Sequence, residues 1–114
     1  MKYMLCIYLD ESTLPALPVD APHQMSPAYT AYVGALRQAG VLVAGDRLKP
    51  TDTATTLRVV DGKTQVLDGP YADTKEQLGG YFVIDVPDID AALSWAERCP
   101  GAARGTLEVR PLWE

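Results

Sequence analysis

One histidine, His23, and two cysteines, Cys6 and Cys99, are all the imidazole and thiol groups in the chain. One His and two distant Cys make no recognisable ligand set for zinc or its neighbours, so no metal is expected, and no other cofactor. Two thiols are also no disulfide framework. Cys6 falls in an apolar run and Cys99 at a helix end, so both read as reduced packing residues. No apolar window approaches the roughly 18 residues of a membrane helix. The stretch Met1 to Leu9 lacks the basic flank and cleavage site of a secretory signal and runs straight into Asp10-Glu11. It reads as a strand, and the cytoplasm is the expected compartment. A basic patch is missing too: ten Lys and Arg are scattered against fifteen Asp and Glu, for a net charge of −5. That balance repels phosphate backbones and anionic lipid, and excludes nucleic acid and membrane surfaces as partners. The glycines form neither a phosphate-cradling loop nor a dinucleotide fingerprint.

What is present is ordinary globular material, 47% hydrophobic and 22% charged over 114 residues, enough for one packed domain spanning 1–114. Lys2 to Leu9 is apolar on both alternating faces, Tyr3, Leu5, Ile7 and Leu9 against Met4, Cys6 and Tyr8, which marks a central strand covered on both sides. Ser26-Pro27 offers an N-cap and a first-turn proline for an amphipathic helix of about thirteen residues carrying Tyr29, Tyr32, Val33 and Leu36, with Gly40 beyond its end. Val41 to Ala44 is a short apolar segment ending at Gly45. Thr55 to Val60 and Thr64 to Leu67 flank Asp61-Gly62-Lys63, a hairpin signal. Gly80 to Val86 is a second two-faced strand. Asp88 caps a second helix that Pro100-Gly101 ends, and Thr106 to Pro111, wet on one face, reads as an edge strand.

The order is β-α-β-β-α-β: an α+β, ferredoxin-like sandwich with an extra β-hairpin. Two helices cover one face of such a sheet. The other, carrying Met4, Cys6, Tyr8, Tyr81, Val83 and Asp85, needs another cover, and a homodimer packing sheet on sheet supplies it.

The run Asp68-Gly-Pro-Tyr-Ala-Asp-Thr-Lys-Glu-Gln-Leu-Gly-Gly-Tyr81 compresses a forced turn, four ionisable side chains and the start of a strand into one stretch. With the opening Met1 to Leu5, Gly45-Asp46-Arg47-Leu48 and Glu108-Val109-Arg110-Pro111, it resembles the DGPF branch of the YCII-related proteins, with Tyr71 where the tetrapeptide has Phe. The resemblance implies a dimeric α/β barrel and, by gene association alone, a link to sigma-factor regulation. In the wider family a first-helix His and an Asp form the proposed catalytic pair. The matching helix position here is Tyr29, and His23 lies upstream in a loop, so that dyad does not carry over; Asp85 is the candidate match for its acidic member.

From the residues themselves, Asp85 is the sharpest candidate, a carboxylate on an otherwise apolar strand face that has to be paired, protonated or at the strand's wet end. Tyr8 and Tyr81 are its expected neighbours. Glu76 is the second acid–base candidate and Lys75 a binder for an anionic substituent, set against a plain solvated turn over Asp73 to Gln77. Asp68 reads as a turn residue or a pocket wall, with Tyr71 beside it, and Asp46-Arg47 as a turn ion pair or a pocket wall. Gly79-Gly80 allows close backbone approach by packing or by a ligand. The loop Asp10 to Met25, with Pro15, Pro18 and Pro22, reads as a lid or interface arm, and His23 as a surface residue on it. Two functions follow: a homodimeric small-molecule-binding or accessory protein with a sheet-face pocket, or a cofactor-independent enzyme using acid–base chemistry on a small acidic or phenolic compound.

Overall fold

The computed structural model describes residues 1–14 and 25–114. Most of the proline-bearing loop, including His23, therefore lies outside the described residues. The chain is α+β with antiparallel sheets. Strands β1 (Lys2–Leu9), β2 (Leu42–Arg47), β5 (Gln77–Asp85) and β6 (Thr106–Pro111) form one sheet in the order β2-β5-β1-β6, an arrangement compatible with a ferredoxin-like fold. Among the described residues, strands β3 (Thr55–Val60) and β4 (Lys63–Asp68) pair only with each other. Asp61 and Gly62 turn between them with φ of 51° and 76°, the two positive values that a two-residue turn of the right twist requires.

Helices α1 (Pro27–Gln38), α2 (Ile89–Arg98) and α3 (Pro100–Arg104) follow β1, β5 and α2 respectively. Ser26 caps α1, its Oγ accepting from the Tyr29 N–H at 3.3 Å, and Pro27 occupies the first helical position where its missing N–H costs nothing. Asp88 caps α2 in the same way, accepting from Ala91 at 2.9 Å. Pro100 does more than end α2. A proline is compatible with a first helical turn, so Pro100 both stops α2 and opens the short α3, where the sequence pattern predicts only a helix end.

Two strands are longer than their composition suggests. Gly45, Asp46 and Arg47 belong to β2, not to a turn, because β5 continues alongside them and supplies partners: Gly45 opposite Phe82, Asp46 opposite Tyr81, Arg47 opposite Gly80. Likewise β5 begins at Gln77, and its register with β1 shifts between Ile7 and Tyr8, leaving Gly79 unmatched. The two glycines fit close packing. A Cβ on Gly80 would stand 2.9 Å from the Asp46 carbonyl oxygen.

The core lies between the sheet and the helices. Tyr3, Leu5, Ile7, Phe82, Ile84 and Val86 meet Tyr32, Val33, Leu36, Ala92, Ala96 and Cys99, with Leu5, Leu36 and Ile84 fully buried. The Tyr32 ring sits edge-on to both Phe82 and Trp95, and its hydroxyl donates to the Trp95 carbonyl at 2.7 Å. On the opposite face Met4, Cys6, Tyr8 and Tyr81 are half-buried and Val83 is buried. The β3-β4 pair leaves Leu57, Val59, Val66 and Leu67 more than half exposed. Among the described residues no helix is long and apolar enough to cross a membrane.

Candidate functional site

A cleft of about 890 Å³ opens on the helix side of the sheet, at the end where β1, β2 and β5 approach the start of α1 and the short α3. Its floor is apolar. Ile7, Leu42 and Phe82 come from the helix-facing side of three adjacent strands, and Tyr29 and Val33 from one stripe of α1. The main chain of Gly79-Gly80, with no side chains to fill the space, completes that floor.

The polar rim is lopsided in charge. Arg37, Arg47 and Arg104 all line the cleft, and among the described residues none of the three is in an ion pair. The two acidic residues at the rim are engaged elsewhere. Glu11 accepts from the Thr51 N–H at 2.9 Å and from the Thr51 hydroxyl at 2.7 Å, one bond to each carboxylate oxygen, tying the segment after β1 to the segment after β2. Asp46 follows Gly45 on the strand, so its carboxylate points to the opposite face, where the Tyr81 hydroxyl donates to it at 2.8 Å. That bond raises the Tyr81 phenol, because a phenolate there would lose its acceptor and face a carboxylate.

Tyr29 brings a polar group into the apolar wall. Its hydroxyl accepts from the Cys99 thiol at 3.8 Å, and burial is the first cause that pushes both the phenol and the thiol above their ordinary values. Tyr32 is raised chiefly by burial as well. All three groups are held neutral by the fold and released on unfolding. A group whose folded pKa is raised contributes stability that is complete below its unfolded value and is lost as pH climbs toward the folded one. The ordinary values are 9.0 for the thiol and 10.0 for the phenols. The urea midpoint is therefore expected to hold between pH 7 and about 8.5 and to fall above pH 9, first with Cys99 and then more steeply with the tyrosines. A midpoint flat to pH 11 would contradict this.

The residues singled out from sequence are distributed over several places. Arg47 lines the cleft with its side chain's strand, and Asp46 borders it through the main chain while pairing with Tyr81 on the other face. Tyr8, Lys75 and Glu76 come together with Thr74 and Thr106 around a shallow hollow on that open face, where Glu76 accepts from the Thr106 hydroxyl at 2.8 Å. Asp85 is exposed at the strand end, 3.2 Å from the Met1 amino group. Asp68 ends β4, and Tyr71 is 80% exposed. The 890 Å³ cleft is thus on the helix side, away from the sheet face on which the expected pocket centres. Arg37 and Arg104 are not among the residues the sequence singles out, and Tyr29, which packs against the core, lines the cleft as well. A signal existed: Tyr29, Val33 and Arg37 recur at four-residue spacing and so share one face of α1.

The YCII-related domain matches residues 1–114. An uncharacterised protein of Rhizobium meliloti (strain 1021) is 40% identical over 114 residues, covering 98% of this chain and 92% of that protein.

Proposed function

The chain belongs to the YCII-related family, and on that footing we propose that it is a homodimeric protein that binds a small organic molecule in the helix-side cleft. The observation that carries the reading is the cleft itself. At about 890 Å³ it falls in the size range of ligand sites, and its apolar floor with a few polar groups at the rim is the usual composition of such sites.

The dimer is supported by surface that a single copy leaves uncovered. Met4, Cys6, Tyr8 and Tyr81 share the face away from the helices and are only half-buried in a single copy, and a second sheet packed on that face covers them. The β3-β4 pair adds Leu57 and Val66, opposite one another in register and 62% and 57% exposed. A lone two-stranded hairpin is marginal in water, so a cover over these side chains stabilises the hairpin as well as the sheet.

The test has two readouts. Light scattering at micromolar concentration is expected to give about twice the 12.4 kDa chain mass; the single-chain mass would remove the dimer. A thermal-shift screen against small aromatic and carboxylic metabolites is expected to give hits, since a ligand at a hundred times its dissociation constant adds about 2.7 kcal/mol of stability. Ala28 is exposed and lines the cleft mouth. The hits should vanish in Ala28→Trp and persist in Tyr81→Ala. The reverse pattern would move the site to the sheet face.

A further inference from the structure

We infer that the helix-side cleft selects an anion, a small molecule with an apolar body and one carboxylate or phosphate group held by Arg47 with Arg37 and Arg104. This rests on the cleft being the binding site and specifies what it binds. The chain has six arginines, and three of them line this one cleft, in a protein whose net charge is −5. An acidic protein repels anions at long range, so anion binding here has to come from a local concentration of positive charge. The rim provides one. Glu11 spends both carboxylate oxygens on Thr51, and the Asp46 carboxylate is on the other side of the sheet with Tyr81.

Arg47 is the informative member. Arg37 and Arg104 stand in the last turns of α1 and α3, where a cation is favoured by the helix carbonyls whether or not a ligand exists. Arg47 has no such reason. It sits on β2 opposite Gly80, with no acidic partner among the described residues, and its positive charge is near enough to act on the Tyr29 phenol in the cleft wall. A guanidinium over an apolar floor is suited to a carboxylate or phosphate, which it meets with two parallel hydrogen bonds. The apolar floor then takes the remainder of the molecule, and the low polarity strengthens the charge contact.

Titration calorimetry with benzoate, phenyl phosphate and the neutral isostere benzamide tests this on the intact protein. Both anions are expected to bind at least about tenfold tighter than benzamide. A preference between benzoate and phenyl phosphate assigns the group as carboxylate or phosphate. Arg47→Gln should bring the anions to the level of benzamide and leave benzamide unchanged, and Arg47→Lys should recover part of the anion preference through charge alone. Arg47 is exposed, so neither variant threatens folding. Benzamide binding as tightly as the anions overturns the inference and leaves the cleft as a site for neutral molecules. No binding of any probe at about 10 mM, well above the range of specific small ligands, overturns it too; whether the cleft reading falls with it is decided separately by the hits lost in Ala28→Trp. Anion binding that survives Arg47→Gln unchanged also overturns it.

Discussion

Gly105→Ala is expected to destabilise the protein by about 3 kcal/mol, the upper part of the range for forcing atoms into a packed site. The reason is where the new methyl has to go. A Cβ on Gly105 would press into the Tyr8 carbonyl oxygen, inside van der Waals contact, and stand 2.8 Å from Leu9 Cδ2. Rotating a side chain cannot relieve the first contact, since it is with main chain. Moving either backbone is costly. Tyr8 is paired with Thr106 at the end of the β1-β6 ladder, and the Gly105 N–H donates to the Gly101 carbonyl at 2.8 Å to close α3. The strand end or the last turn of α3 has to give way. In thermal unfolding the loss corresponds to roughly 4 °C per kcal/mol for a chain of this size. Gly34→Ala is the control. A Cβ there meets nothing within 4 Å, Gly34 lies inside α1 and is exposed, and alanine in a helix interior is favoured over glycine by about 1 kcal/mol. The two glycine-to-alanine changes should therefore shift the melting temperature in opposite directions. A Gly105→Ala protein as stable as the original would mean that β6 does not approach β1 in this way.

Where the sequence pattern was decisive, the controlling physics was local. Lys2 to Leu9 reads as a two-faced strand because alternate residues of a strand point apart, and β1 occupies the sheet interior between β5 and β6. Ser26-Pro27 marks the start of α1 because capping and the missing proline N–H involve only neighbouring residues. Asp61-Gly62 marks a turn because few residues tolerate its φ values. Where the pattern fell short, the cause was a partner distant in sequence. Gly45-Asp46-Arg47 has turn composition and is strand because β5 pairs with it. Gln77-Leu78-Gly79 is strand because β1 runs alongside it, Tyr8 opposite Leu78 and Leu9 opposite Gln77. The cleft is the extreme case. Arg37, Arg47 and Arg104 stand on a helix, a strand and another helix, and no spacing rule joins them. Asp46 and Tyr81, both singled out from sequence, do meet, but that contact follows from the β2-β5 register and was invisible in either segment alone.

Leu36→Ala is the second large effect, expected at about 3 to 4 kcal/mol, within the span of buried leucine truncations. Leu36 is fully buried, on α1 against the sheet, and its carbonyl accepts from the Val41 N–H at 3.1 Å where the chain leaves the helix for β2. Truncation opens a cavity in a place that has little freedom to collapse, since Leu5 and Ile84 across it are also fully buried. The damage should reach the site. Leu36 follows Val33 by three residues and so shares its side of α1, and α1 forms one wall of the cleft through Tyr29, Val33 and Arg37. Benzoate should bind more weakly to Leu36→Ala at a temperature where the variant is still folded. Leu57→Ala gives the contrast, because Leu57 is 62% exposed on the hairpin and an exposed truncation in a lone chain changes stability by no more than about 0.5 kcal/mol. If a second copy covers the hairpin, Leu57→Ala instead weakens the dimer, and its melting temperature becomes more dependent on protein concentration than that of the original. Leu36→Ala acts within one copy and lowers the melting temperature at every concentration. Urea and thermal unfolding of both variants at two protein concentrations separate core packing from contact between copies, and a Leu57→Ala loss below 0.5 kcal/mol at both concentrations would leave the hairpin with no part in the dimer.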